Sequence, residues 1–125
     1  MPVLNGEKTI REVLDSLLAQ TFTDFELTIS DNASADGTEA ICLEYVKKDP
    51  RVRYVRQQEN RGAASSWFLL DEARGEYFMW AACDDVRSLD FLEINYGFLR
   101  QNPDYIASIS PVQYSGGNFD PVKMG

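Results

Sequence analysis

The chain of 125 residues contains no histidine and only two cysteines, Cys42 and Cys83. The absence of histidine excludes the Ser-His-Asp and Cys-His catalytic arrangements and the zinc sites that depend on imidazole. Both cysteines fall within predicted elements, a helix and an apolar strand, where free thiols usually serve as small apolar side chains. Unpaired cysteines of this kind predict a reducing, cytoplasmic location.

Long apolar runs and basic clusters are also missing from the sequence. No run reaches the length of a membrane-spanning helix, so we expect no transmembrane segment. The 12 Lys and Arg residues are outnumbered by 20 Asp and Glu residues, which gives a net charge of -8. Because nucleic-acid binding needs clustered positive charge, this balance excludes a nucleic-acid partner. A nucleotide can still bind if a metal ion screens its phosphates.

Helix and strand patterns alternate along what we predict to be a single domain, residues 1–125. After a strand stub at residues 2–5, apolar spacing predicts helices at 7–20, 38–48, 63–73 and 89–101, and strands at 25–30, 52–56, 77–83 and 105–110. This alternation predicts an α/β fold, a three-layer sandwich around a mostly parallel sheet. The short first strand and the irregular segment 113–125 suggest a sheet that is incomplete at both ends.

The most apolar run, Tyr77 to Cys83, is followed at once by Asp84 and Asp85. Two adjacent negative charges repel each other, and a divalent cation offsets that repulsion. We therefore predict that both acids are oxygen ligands of Mn²⁺ or Mg²⁺, with positions left for diphosphate oxygens. The structural alternative is that the pair caps the helix that follows. The aromatic residues Trp67, Phe78 and Trp80 are predicted to pack in the core.

Polar residues follow three other predicted strands, and ligands of such sheets bind at the carboxyl ends of the strands. Asp31 and Asn32 can pair with the edge of a pyrimidine, although Ser34 or Asp36 nearby could simply cap the next helix. Gly62 lets a ligand approach a helix start, which favours phosphate, and Arg61 could add a charge-assisted bond. Asn60 to Gly62 could equally be a turn and nothing more.

Taken in order, four segments resemble family 2 glycosyltransferases of the GT-A fold: PVLNGEKTIREVLDSLLAQTFTDFEL, SDNASADGTEAI, RVRYVRQQENRGAASSWFLLDEARGEYF and WAACDDV. The resemblance covers Pro2 to about Leu99. It implies transfer of a sugar from a nucleoside-diphosphate sugar to an acceptor hydroxyl, with inversion and the help of a divalent cation. It also implies polysaccharide biosynthesis at the inner face of a membrane. The acceptor, whether glycan, lipid or protein, is not specified by the sequence.

The resemblance also implies residue roles. The metal ligands would be Asp84 and Asp85, and the nucleotide-sugar site would comprise Pro2, Leu4, Asn5, Asp31, Asn32, Asn60, Gly62 and Asp84. The family's usual motif is Asp-x-Asp, and Ala82 here replaces its first acid. The family's catalytic base lies well after that motif. Asp104 and Asp120 are candidates without a predicted position, so the catalytic residue is unassigned.

Two alternatives to an active transferase follow from the sequence. A binding or regulatory module could keep the fold and bind nucleotide sugars without turnover. A phosphoacceptor receiver domain is disfavoured, because such a domain needs acids after its first strand and a lysine late in the chain. Here the acidic pair follows the fourth strand, and Lys123 lies in an irregular tail. The short first strand would expose a sheet edge, which predicts self-association into a homo-oligomer.

Overall fold

The computed structural model describes residues 1–111 of the chain. Three strands and four helices follow in the order β1 (Pro2–Val3), α1 (Ile10–Leu18), β2 (Leu27–Asp31), α2 (Thr38–Lys48), β3 (Val52–Arg56), α3 (Ala64–Glu72) and α4 (Phe91–Gln101). The strands form one parallel sheet in the order β1-β2-β3. Because a helix joins each parallel pair, the predicted α/β fold is confirmed.

Helices cover this sheet on both sides. α1 and α2 pack against each other, and α2 also lies against β2 and β3. α3 contacts β1 and β2 but, among the described elements, neither α1 nor α2. A right-handed connection that turns back across the sheet after β3 places its helix on the opposite side. The three layers are therefore helices, sheet and helix.

The core lies between α1, α2 and the sheet. Apolar side chains spaced along one face of α1 are fully buried, among them Ile10, Leu14 and Leu17. They pack with Ile29 of β2 and Cys42 of α2 in one cluster. This arrangement confirms the predicted amphipathic helix, and the predicted bounds of α2 and β3 match the observed ones.

Two predicted strands are absent from the described residues. Residues 77–83 and 105–110 have irregular backbone, so the prediction of strands there was wrong. A strand needs a neighbour for its backbone hydrogen bonds, and β1 offers only two residues, one of which is Pro2 with no N–H. Ile106 and Ile109 are 98% and 96% exposed, so no neighbour covers the second segment within the described chain.

The three aromatic residues predicted for the core are also exposed. Trp67 of α3 is 66% exposed, and Phe78 and Trp80 stack edge to face on each other with centroids 4.8 Å apart. Leu69, in the same helix as Trp67, is buried. The prediction of core aromatic residues was therefore wrong: Phe78 and Trp80 lie in a run with irregular backbone, and Trp67 lies on an exposed face of α3.

The segment after α1 holds the start of α4. The buried Gln20 side chain donates to the Ser88 carbonyl at 2.6 Å and accepts from the Leu92 amide at 2.9 Å. The Phe22 ring packs on that of Tyr96 with centroids 4.6 Å apart. None of the helices in residues 1–111 combines the length and apolar character needed to cross a membrane.

Candidate functional site

An open cleft of about 170 Å³ lies at the carboxyl edge of the sheet. Its wall is built from the end of β1, the residue after β2, the start of α3 and the residue before the acidic pair: Pro2, Val3, Leu4, Asn32, Gly62, Ala63, Ser65, Ser66 and Cys83. The fold therefore brings together Pro2, Leu4, Asn32 and Gly62, which lie far apart in the sequence. Asn5, Asp31, Asn60, Asp84 and Asp85 do not line the cleft.

A hydrogen-bonded clamp joins Asn32 to the turn before α3. The Asn32 Nδ2 donates to the Asn60 Oδ1 at 2.6 Å, and the Arg61 amide donates to the Asn32 Oδ1 at 2.9 Å. The Asn60 Oδ1 also accepts from the Gly62 amide at 2.8 Å. Gly62 has a φ of +57°, a left-handed conformation that glycine adopts without strain. Asn60 thus shapes the cleft by fixing the turn that presents Gly62.

Reciprocal bonds join the loop after β1 to the loop after β2. The Asn5 amide donates to the Ser34 Oγ at 2.8 Å, and the Asn5 Oδ1 accepts from the Ala35 amide at 2.8 Å. The Gly6 amide donates to the Thr38 Oγ1 at 2.9 Å. Ser34 therefore bridges the loops rather than capping α2. Asn5 supports one wall of the cleft from behind, with its own backbone in a left-handed conformation at a φ of +52°.

Asp36, the other candidate cap, accepts from the Thr38 amide at 3.0 Å and from the Glu7 amide at 3.1 Å. The hydrogen bond from the Thr38 hydroxyl is the main cause that lowers the pKa of the Asp36 carboxyl. Asp36 stays ionised at neutral pH and holds the beginning of α2 to the loop after β1. The capping interpretation is therefore closer to the structure for Asp36 than for Ser34.

Asp31, at the end of β2, is completely buried beneath the loop that follows it. Its Oδ1 accepts from the Ser34 amide at 2.9 Å. Its Oδ2 accepts from the Tyr54 hydroxyl at 2.6 Å and from the Arg56 Nη1 at 2.9 Å. Burial and the bond to Asp31 raise the pKa of Tyr54, so its hydroxyl remains a donor.

Cys83 lines the cleft, and the acidic pair follows it directly in the chain. Its carbonyl accepts from the Thr9 hydroxyl at 2.8 Å, and both Asp84 and Asp85 are exposed. Gly6 lies against Cys83: a Cβ at Gly6 would be 3.7 Å from the Cys83 Sγ. The same Cβ would clash with the Val3 Cγ2 at 2.7 Å, so this position favours glycine. Burial, and next the charge of Asp84, raise the pKa of the Cys83 thiol.

The sequence model for glycosyl transferase family 2 matches residues 1–124, nearly the whole chain. The chain belongs to glycosyl transferase family 2. The predicted resemblance is thereby confirmed at the level of the family and of the GT-A fold.

Three known proteins illustrate the likeness of this family 2 chain. The glycosyltransferase GlyA of Streptococcus pneumoniae is 30% identical over 94% of the chain and 16% of its own length. The Staphylococcus aureus protein TarS, solved with UDP, superimposes with a TM-score of 0.76 at 28% identity, over 82% of the chain and 31% of the TarS fragment. The mannosyltransferase PcManGT of Pyrobaculum calidifontis, solved with GDP-Man and Mn²⁺, superimposes with a TM-score of 0.56 at 30% identity. The match covers 60% of the chain and 23% of PcManGT. The family 2 chain thus spans less than a third of each of these proteins.

Several lining residues of this family 2 chain were not predicted from its sequence: Val3, Ala63, Ser65, Ser66 and Cys83. The Ser65 hydroxyl donates to the Gly62 carbonyl at 2.9 Å, which tightens the start of α3. The sequence does contain a pattern that could have indicated these lining residues: two alanines and two serines follow Gly62. Such small side chains leave room for a ligand beside the start of a helix. Cys83 was assigned to a buried strand, and the half-buried turn at its position opens its thiol to the cleft.

A metal site would rest on the acidic pair of the family 2 chain. Within residues 1–111, no three Asp, Glu or Cys side chains are grouped closely enough to hold a metal ion. Asp84 and Asp85 supply two carboxylates, and Mg²⁺ is commonly held by one or two carboxylates together with water and substrate phosphates. The residues therefore fit a cation that binds together with a diphosphate rather than in a closed protein cage.

Proposed function

We propose that the cleft binds the nucleoside diphosphate of a sugar donor and that the protein transfers the sugar to an acceptor hydroxyl. The observation that carries this proposal is the meeting of Leu4, Asn32 and Gly62 in one cleft, with Asp84 following a lining residue. Support comes from TarS, which has been solved with UDP and UDP-GlcNAc, and from the mannosyltransferase solved with GDP-Man and Mn²⁺.

The site residues divide by position. We place the base and ribose against Pro2, the half-exposed Leu4 and the Asn32 backbone, while Asn5, Asp31 and Asn60 hold those loops in shape. The turn at Gly62 presents the start of α3, whose positive helix end favours the diphosphate.

Asp84 and Asp85 would hold Mn²⁺ or Mg²⁺ at the diphosphate end of the cleft. When bound, the cation neutralises the negative charge that develops on the leaving diphosphate. Both side chains are exposed, so they can turn towards an incoming donor. With Ala82 in place of the first acid of the usual motif, we expect cation affinity to depend strongly on the nucleotide.

We further propose inversion, by one in-line attack of the acceptor oxygen as a carboxylate takes its proton. Asp104 is exposed beyond α4 and does not line the cleft, and Asp120 lies outside the described residues. Neither is assigned as the base. The glycan, lipid or protein acceptor, self-association and action at the cytoplasmic side of a membrane stay predictions.

Calorimetric titration of the 125-residue chain with UDP, GDP and dTDP, with and without Mn²⁺, tests the proposal. We expect one of the three to bind in the presence of Mn²⁺. The double variant Asp84→Ala/Asp85→Ala should weaken that binding at least tenfold, because it removes both carboxylates available to the cation.

Asp24→Ala is the matched control, because Asp24 is an exposed acid in the loop before β2, at the opposite edge of the sheet. Its affinity should equal that of the wild type. If nucleotide affinity changed neither without Mn²⁺ nor in the double variant, the proposed metal role of Asp84 and Asp85 would be contradicted. If none of the three nucleotides bound, the proposed donor site itself would be overturned.

A further inference from the structure

Two side chains of β3, Tyr54 and Arg56, converge on the buried carboxylate of Asp31. Parallel pairing places Arg56 opposite Asp31 and Tyr54 opposite Ile29. The Tyr54 hydroxyl lies 2.6 Å and the Arg56 Nη1 2.9 Å from the same Oδ2 of Asp31. Neither side chain lines the cleft. Their polar groups therefore act on the loop after β2 and not on a ligand directly.

Arg56 also bonds the loop itself. Its Nη2 donates to the Ser34 carbonyl at 2.8 Å, while Asp31 accepts from the Ser34 amide at 2.9 Å. Ser34 is thus held by its amide, its carbonyl and its hydroxyl, the last through Asn5. Ala33, immediately before it, has a φ of +63°, which is a strained conformation for an alanine. Strained backbone of this kind persists only where its surroundings hold it.

The strained segment adjoins the cleft. Asn32, the lining residue, lies between the carboxylate of Asp31 and the strained Ala33. A shift of this loop would move the Asn32 side chain and, through its bonds to Asn60 and Arg61, the turn that presents Gly62. Two walls of the cleft therefore depend on the same buried carboxylate.

We propose that Tyr54 and Arg56 are positioning residues of the donor site, which hold Asp31 and the loop at residues 32–37 in the shape that binds the nucleotide. This inference rests on the proposed function. Under this inference, two residues of β3 contribute to the affinity for the donor although no residue of β3 lines the cleft.

The test compares matched pairs of variants by calorimetric titration with UDP, GDP and dTDP in Mn²⁺. Tyr54→Phe removes one hydroxyl that bonds a carboxylate. Arg56→Gln removes a guanidinium that bonds the Asp31 carboxylate and the Ser34 carbonyl and that also lies 3.5 Å from the Glu39 carboxylate. We expect about tenfold weaker nucleotide binding for Tyr54→Phe. The loss should be larger for Arg56→Gln, because the guanidinium brings a positive charge to the Asp31 carboxylate and also bonds the Ser34 carbonyl.

The chain provides a control for each. Tyr45→Phe also removes a hydroxyl that bonds a carboxylate, that of Asp15. Arg51→Gln also removes a guanidinium that bonds a carboxylate, that of Asp49, and the carbonyls of Leu18 and Thr23. None of these groups lines the cleft. Both controls should lower the urea midpoint of unfolding, as the matched variants Tyr54→Phe and Arg56→Gln do. Both controls should keep nucleotide affinity within about twofold of that of the wild type.

Amide hydrogen exchange gives a second measurement on the same proteins. The Ser34 and Ala35 amides should exchange faster in Tyr54→Phe than in the wild type, whereas their exchange rates should be unchanged in Tyr45→Phe. Wild-type affinity in both β3 variants would overturn the inference alone, as would an equal loss in the controls. Failure of the wild type to bind any nucleotide would instead refute the proposed function, and the inference with it.

Discussion

At the scale of single residues, the two cysteines differ in what surrounds them. Cys42 is completely enclosed in the core, and burial raises its pKa to about 12. Cys83 lines the cleft, and burial followed by the charge of Asp84 raises its pKa as well. Because the thiolate is the reactive form, both thiols should be slow nucleophiles at neutral pH, and access should decide between them.

We predict that iodoacetamide labels Cys83 slowly and leaves Cys42 unlabelled in the folded protein. The pKa is raised, so the rate at Cys83 should still climb as pH passes the ordinary thiol value of 9.0. UDP, GDP or dTDP with Mn²⁺ should slow the reaction by covering the cleft. Mass spectrometry of digested samples taken between pH 7 and 10 measures both sites.

Cys83→Ser is the control for this reaction, and it should remove the labelling of the folded chain. A rate that levels off below pH 9, or equal labelling of Cys42 in the native protein, would contradict the assignment of the two environments. Protection by nucleotide without Mn²⁺ would argue against the role of Asp84 and Asp85.

The residue scale also shows why some lining residues could be predicted and why the proposed positioning residues could not. Leu4, Asn32 and Gly62 each follow a strand or precede a helix, which is a pattern visible in sequence. Tyr54 and Arg56 lie in a strand whose alternating basic residues indicate a half-exposed face. Their partner, Asp31, is identified only by the register that sets it opposite Arg56. A pairing of this kind depends on tertiary contacts that no local pattern encodes.

At the scale of elements, α4 is held largely by polar bonds to the segment after α1. Gln20 is its main support, since the side chain spans from the Ser88 carbonyl to the Leu92 amide. The Leu92 amide is in the first turn of α4, where helix N–H groups have no partner within the helix. A buried glutamine thus acts as the cap that Asp90 does not provide.

We predict that Gln20→Ala lowers the free energy of unfolding by about 1–3 kcal/mol, because it leaves the Leu92 amide without its acceptor. The Ser88 carbonyl loses one bond and keeps the one from the Phe91 amide. Hydrogen exchange should rise first at the amino-terminal turn of α4. Gln101→Ala, at the exposed end of the same helix, should change stability by less than about 0.5 kcal/mol. Urea unfolding with exchange mass spectrometry makes the comparison, and equal effects of the two variants would count against it.

Elements also show where periodicity was sufficient and where it was not. The apolar face of α1 and the bounds of α2 follow from local spacing, and the structure has them as predicted. The run at residues 77–83 has the composition of a buried strand, but a strand also needs a partner with free backbone groups. β1 supplies two residues, and the aromatic side chains of the run stay at the surface. Composition alone could not reveal that condition.

At the scale of the whole molecule, two surface properties oppose each other. The described chain exposes a series of large apolar side chains, including Trp67, Phe78, Trp80 and Ile106, which favours association. The net charge of -8 repels a second copy. Screening shortens the reach of that repulsion from about 30 Å at 0.01 M salt to about 3 Å at 1 M, while apolar contacts are not weakened by salt.

We therefore predict that the chain is monomeric in dilute buffer and self-associates as salt rises, as sedimentation velocity at 0.01 M and 1 M NaCl would show. The double variant Trp67→Ser/Phe78→Ser should reduce the association at high salt, because both rings are exposed on the described surface. Leu43→Ser, which alters an exposed apolar side chain of α2, is the control and should associate like the wild type. Association that weakens with salt would show instead that opposite charges hold the copies together, and the apolar surface would then have no part in it.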